Sequence, residues 1–77
     1  MEKINFTSAK FGQVGFSNIN LTRAIFRNAI LSEVSFKDVN LSYADLSGAK
    51  QFIIGRCKNT VFYETIMPDG SVRTDNI

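Results

Sequence analysis

The residue types that most often carry out chemistry are scarce in this 77-residue chain. It contains no histidine and a single cysteine, Cys57, so it lacks the commonest general base and cannot form an internal disulfide. Gly12 and Gly15 do not have the spacing of a phosphate-binding loop, and no two carboxylates form an acid/base couple. We therefore expect no catalytic activity, no metal site and no cofactor.

Two weaker chemical signals have structural interpretations that we favour. Cys57 can be a small apolar core residue or a reactive thiol, and we expect the first. Three triplets match the N-glycosylation acceptor: Asn5-Phe6-Thr7, Asn20-Leu21-Thr22 and Asn40-Leu41-Ser42. They arise from a repeat, and the chain shows neither a signal peptide nor an apolar run of about 20 residues. Unmodified asparagines, a cytoplasmic location and no membrane insertion are therefore the default expectations.

Side chains of one kind recur at every fifth position and must be placed by one repeated local structure. We call these positions central. All nine from residue 6 to residue 46 are Phe or Leu: Phe6, Phe11, Phe16, Leu21, Phe26, Leu31, Phe36, Leu41 and Leu46. On an α-helix such residues would drift around the axis, and on a flat strand they would alternate between faces. The spacing excludes both simple elements.

A second set of apolar residues precedes each central position by two, and we call these positions flanking. None is larger than Ile: Ile4, Ala9, Val14, Ile19, Ala24, Ala29, Val34, Val39 and Ala44. Residues two apart share one face of an extended segment. Each pentad is therefore predicted to be a three-residue extended piece followed by a corner.

A similarity at twenty residues indicates how the pentads stack. Residues 14–24 match residues 34–44 at most positions, identically or conservatively. Four pentads per coil would place such residues above one another. The sequence thus predicts a square solenoid with a side-chain-filled interior.

The pentads resemble those of the pentapeptide-repeat family. Ala44-Asp45-Leu46-Ser47-Gly48 is close to the family consensus, and the resemblance covers roughly residues 4–67. It implies an all-β fold, a right-handed quadrilateral β-helix with four pentapeptides per coil and about three coils here. It carries over no catalytic residues. Met67-Pro68-Asp69-Gly70-Ser71 also resembles the ending of cyanobacterial members.

The regular pentads end near Gly48, within what we expect to be a single domain of residues 1–77. One inserted residue near 49–51 would make Phe52, Cys57, Phe62 and Met67 central, with Gly55, Thr60 and Thr65 flanking. The alternative is an inward, hydrogen-bonded Gln51. Residues 50–67 would then be degenerate pentads, and residues 68–77 a turn followed by a polar tail.

Several apolar residues are expected on the outside and form a candidate interface: Ile25, Ile30, Ile53, Ile54, Tyr63 and Ile66. A contiguous apolar patch usually marks an interface. The alternative is that the tail after Pro68 covers those near the C-terminal end.

The predicted function is that of a non-catalytic structural or protein-interaction module. Uncapped β-solenoid ends invite association, through a homodimer, an unidentified protein or a preceding segment of a larger chain. The alternative is a DNA mimic that modulates an enzyme such as gyrase. Duplex DNA of the same length would carry about 8 negative charges, whereas this chain has a net charge of +2. That charge is also too small to predict nucleic-acid binding.

Overall fold

The structure is a computed structural model that describes residues 4–76. Its strands are short: β1 Lys10–Gly12, β2 Gly15–Ser17, β3 Ile30–Ser32, β4 Ser35–Lys37, β5 Cys57–Lys58, β6 Val61–Ile66 and β7 Val72–Asn76. A 3₁₀ turn, Ile54–Arg56, directly precedes β5. It is the one helical element among the described residues.

Parallel pairing at an offset of twenty residues organises the strands. Strand β1 pairs with β3 so that Phe11 lies opposite Leu31, and β2 pairs with β4 so that Phe16 lies opposite Phe36. Isolated parallel bridges extend this offset to Asn5↔Ile25, Asn20↔Asn40, Ile25↔Asp45 and Ile30↔Lys50. We call residues 4–23 the first layer, 24–43 the second and 44–64 the third. Adjacent layers are joined by backbone hydrogen bonds.

The corners between extended pieces use left-handed backbone at every fifth residue. The φ angle is 61° at Ser8, 55° at Glu33 and 72° at Gly48. At six corners an N–H from the next flanking residue closes the turn, as from Ala24 to the Leu21 carbonyl at 3.0 Å. A positive φ at the third residue of a four-residue turn is what a type II turn requires. The repeat therefore places a left-handed residue two positions after each central residue.

Polar side chains before the central residue support many of these corners. The Oδ1 atom of Asn40 accepts a hydrogen bond from the Ser42 N–H at 2.9 Å, and Asp45 accepts one from the Ser47 N–H at 2.9 Å. Asn5 and Asn20 make equivalent bonds to Thr7 and Thr22. These side chains fix the backbone locally, as Asn and Asp commonly do in turns.

Central and flanking residues together form the core. In residues 21–46 every one of them is buried, and Leu21, Phe26, Leu41 and Leu46 are 0% exposed. Rings stack between layers, with Phe16 and Phe36 5.4 Å apart and 13° from parallel. The first layer differs, because Phe6, Phe11 and Phe16 are only partly buried.

One additional residue enters the third layer between Lys50 and Cys57. Ile30 pairs with Lys50 at an offset of twenty, but Phe36 pairs with Cys57 and Asn40 with Val61 at twenty-one. Cys57, Phe62 and Met67 are buried, whereas Phe52 is half-buried.

Around the extra residue, one expectation is wrong and one alternative is excluded. Gly55, expected in a flanking inward position, is exposed because the 3₁₀ turn carries the chain out of the repeat before it returns at Cys57. Gln51 is exposed, which excludes the inward alternative. Thr60 and Thr65 are fully buried, and their hydroxyls donate to the Phe36 carbonyl (3.2 Å) and the Leu41 carbonyl (2.6 Å).

A hairpin follows the third layer where a polar tail is expected. The Gly70 N–H donates to the Met67 carbonyl at 2.8 Å across Pro68 and Asp69, and Gly70 has a φ of +88°. Strand β7 then pairs antiparallel with β6, with an irregularity between Phe62 and Thr65. Residues 72–76 are therefore a strand, because β6 offers them a free edge.

Substitution of Phe36 by Ala should destabilise the protein by about 3–5 kcal/mol, because the lost ring leaves a cavity in a closed core. Phe36 is 1% exposed and contacts the rings of Phe16, Phe26 and Phe52. A loss of this size approaches the whole stability of a small domain, about 5 kcal/mol at the low end. Urea unfolding followed by circular dichroism measures it. Phe52→Ala is the matched control and should cost less, since that ring is half-buried. Equal losses would contradict the closed packing of the Phe36 ring.

Candidate interaction surfaces

Cys57 has the environment of a core residue. It is 6% exposed, and burial raises the pKa of its thiol to about 11, with the nearby Arg73 opposing the rise. A nucleophilic cysteine needs a lowered pKa and access to solvent. The geometry therefore does not support a reactive thiol.

Residues 4–76 contain no group of three or more His, Cys, Asp or Glu side chains that could hold a metal ion. Within the same range, no helical segment combines the length and the apolar character needed to cross a membrane.

The expected interface residues lie in different environments. Ile53 and Tyr63 are 51% and 46% exposed, and Ile54 is also exposed. Ile25, Ile30 and Ile66 are half-buried and belong to the bridges between layers. Three of the six residues are thus exposed and three are half-buried, and their role as an interface stays a prediction.

An exposed aromatic pair lies on the side of the stack. The rings of Tyr43 and Tyr63 meet edge to face at 5.4 Å, and the Arg23 guanidinium lies 5.1 Å from the Tyr43 ring centre. Tyr and Arg are enriched at the energetically important positions of protein interfaces. Tyr43 was not expected here, although its place at a corner position, two after Leu41, could have indicated it.

A shallow cleft of about 380 Å³ lies between the irregular segment and the hairpin. Its lining is Phe52, Ile54, Met67 and Pro68 on the apolar side, and Asp69, Ser71 and Arg73 on the polar side. The polar groups are already engaged. Hydrogen bonds from Ser71 lower the pKa of Asp69, and the hydrogen bond with Asp75 raises the pKa of Arg73. The polar side chains of the cleft are thus paired within the hairpin.

Open strand edges lie at both ends of the stack. Strands β1 and β2 each have one neighbour in the described chain, β3 and β4 respectively, so their other edges are unpaired. Phe6, Phe11 and Phe16 lie beside these edges, with ring centres 5.3–6.3 Å apart. At the other end, β7 pairs with β6 alone. Sequence reasoning missed β7, although a turn between two stretches containing Val and Thr is a hairpin signal.

Stacked short strands, left-handed corners and an apolar interior define a β-helix-like repeat protein. Comparison with protein families agrees: the family described as pentapeptide repeats (8 copies) matches residues 1–38 and 16–50. The chain belongs to the pentapeptide-repeat family, which confirms the family expected from the pentads. No curated protein and no solved structure matches it. The family match indicates no catalytic family. The likeness of residues 67–71 to cyanobacterial members stays a prediction.

Ionisation of Cys57 should make stability depend on alkaline pH. A folded-state pKa of about 11, against an ordinary 9.0, means that the unfolded chain loses the thiol proton first. The resulting stability is complete below pH 9 and declines as the pH rises toward 11. Relative to Cys57→Ala, the wild type should lose about 2 kcal/mol between pH 8 and 10.5.

Urea unfolding of both proteins under reducing conditions measures this difference. The two proteins differ only at residue 57, so the difference between them isolates the Cys57 thiol. A difference that stays constant over this pH range would show that the Cys57 thiol is not held un-ionised by burial.

Proposed function

We propose that this protein is a non-catalytic interaction module, a rigid β-helical spacer that associates with itself through the ends of its stack. The supporting observation is the contrast between middle and end. Phe26 and Leu31 in the second layer are 0% and 1% exposed, whereas Phe6 and Phe11 in the first layer remain partly exposed beside unpaired edges.

The finer architecture that we propose is a right-handed quadrilateral β-helix with four pentads per coil and about three coils. The offset of twenty residues between paired positions supports four pentads per coil. Left-handed corner residues at intervals of five support a turn after every pentad. In such a body the side walls are backbone and the interior is filled, so it resists deformation.

The ends suit moderate rather than tight association. The body measures 24 × 22 × 22 Å between Cα extremes, so an end face offers on the order of 400 Å² per molecule. Stable complexes usually bury more than about 1,000 Å² in total. An end-to-end contact would therefore be concentration-dependent. Lys10 is the one charged residue in β1 and β2, so repulsion between two such edges is small.

The exposed side chains extend the proposal to other proteins. The irregular segment exposes Ile53 and Ile54. The side of the stack exposes Tyr63, and Tyr43 adds a second aromatic ring beside it. Ile25, Ile30 and Ile66 contribute only their outer parts. We propose the first group as the contact for an unrelated partner. The DNA-mimic alternative lacks a favouring observation, because the net charge of +2 is opposite to that of DNA.

The proposal predicts that absolute mass rises with concentration. Size exclusion with light scattering, from micromolar to about millimolar protein, should show a shift from 8.6 kDa toward twice that value. A mass that stays at 8.6 kDa over the whole range would contradict self-association. Growth without limit would indicate head-to-tail filaments rather than a closed pair.

A further inference from the structure

Strand β7 has an open edge, and the structure defines which of its five residues turn their backbone N–H and C=O groups toward that edge. The Met67 N–H donates to the Ser71 carbonyl at 2.7 Å, so Ser71 faces β6. Hydrogen-bonding direction alternates along a strand in an antiparallel sheet. Arg73 and Asp75 therefore also turn their backbone groups toward β6. Thr74, with Val72 and Asn76, presents N–H and C=O groups on the open side.

The sequence of β7, Val-Arg-Thr-Asp-Asn, is complementary to itself in an antiparallel arrangement. Residues opposite each other in such a pair must have their side chains on the same face of the sheet. The partner strand must therefore slide by two residues to pass from one allowed register to the next. A two-fold axis at Thr74 places Arg73 opposite the partner's Asp75 and Asp75 opposite the partner's Arg73. An axis at Arg73 would oppose two arginines, and an axis at Asp75 would oppose two aspartates. The charges therefore favour one register.

The charged pair is already held in place for this arrangement. The Arg73 Nε and Nη2 atoms donate to the two Asp75 carboxylate oxygens at 2.7 and 3.1 Å, and the guanidinium lies 5.5 Å from the Phe62 ring centre. A second copy would complete a group of four charges in which each arginine has two carboxylates beside it. Opposite charges facing each other across strands stabilise pairing, and like charges oppose it.

We propose that β7 pairs antiparallel with β7 of a second copy of this chain, about a two-fold axis at Thr74, to form a continuous β6–β7–β7–β6 sheet. This inference rests on the proposed self-association and names the end that carries it. Strands β1 and β2 are weaker candidates, because each has three residues, one of them glycine, and neither contains an opposite-charge pair. Val72, 61% exposed, would lie beside the partner's Asn76.

The first test is Thr74→Pro with Thr74→Ala as its matched control. Proline removes the edge N–H of residue 74, which the pairing with β6 does not use. Both variants lose the Thr74 hydroxyl that accepts the Glu64 N–H at 3.0 Å. Sedimentation equilibrium should give Thr74→Ala a dissociation constant near that of the wild type, and Thr74→Pro one at least tenfold higher. Circular dichroism melts establish that both are folded.

The second test exchanges charges between molecules. In a dimer of Arg73→Asp, acidic residues would face acidic residues at two places, and in a dimer of Asp75→Arg, basic residues would face basic residues at two places. Each variant alone should therefore remain monomeric at concentrations where the wild type dimerises. An equimolar mixture restores opposite charges at every pair and should dimerise. The double variant R73D/D75R should also dimerise. Recovery on mixing would not occur if these residues acted only on the fold of each chain.

The outcomes separate the two proposals. If the wild type dimerises but Thr74→Pro does so equally well, or if the mixed charge variants stay monomeric, the β7 interface is wrong while self-association stands. If the wild type is monomeric at every concentration, both self-association and the β7 interface are wrong.

Discussion

Parallel pairing of residues twenty apart, such as Asn5 with Ile25 and Ile25 with Asp45, is the constraint on which the rest of the structure depends. The Ile25 N–H donates to the Ile4 carbonyl at 2.8 Å, and the Phe26 N–H donates to the Asp45 carbonyl at 2.7 Å. One layer is thus bonded to both of its neighbours. Since parallel strands lie about 4.8 Å apart, each inward side chain must rest on the one twenty residues away. The close stacking of Phe6 on Phe26, at 4.9 Å, follows from this distance. The Phe/Leu restriction at central positions has the same cause.

Left-handed backbone at the corners is unfavourable in free energy, and the stacking of the layers compensates for it. Left-handed backbone costs a residue with a Cβ about 1 kcal/mol or more, and the chain adopts it at Gln13, Arg23 and Glu33 among others. Glycine fills such a corner at Gly48, where a Cβ would lie 2.4 Å from the Asn28 Oδ1 atom of the layer beside it. At several other corners, including those at Arg23 and Tyr43, a turn bond and an Asx-type bond hold the backbone. Each pentad is unstable alone, and the strain is tolerated because layers fix one another.

Local periodicity predicted the repeats well because every pentad buries the same residue types at its central and flanking positions. The burial of Leu21 through Leu46 and the pairing of Phe16 with Phe36 depend only on intervals of five and twenty. The structure of the irregular segment was harder to predict from the sequence. Gln51 adopts a φ of 61° and Ile54–Arg56 form a 3₁₀ turn, and no periodic signal specifies where one extra residue is absorbed.

Strand β7 escaped prediction for a different reason. Arg73 and Asp75 look like tail residues in the sequence, and only the edge of β6 makes their segment extended. The same holds for Tyr43, whose exposure has meaning only beside Tyr63. Surfaces built by contacts between distant segments are set by tertiary structure, and propensity within one segment does not contain them.

Reversal of chain direction at the hairpin changes what the end of the stack can bind. Layers related by parallel pairing could add further copies head to tail without limit, because each addition re-creates the same open edge. Strand β7 runs antiparallel to β6 and occupies that edge at the third layer. An antiparallel edge can pair with its own copy about a two-fold axis, and this pairing consumes both edges. In the proposed dimer, the hairpin would replace an open-ended mode of association with a closed one, and covering a strand edge is one way in which natural β-sheet proteins limit aggregation.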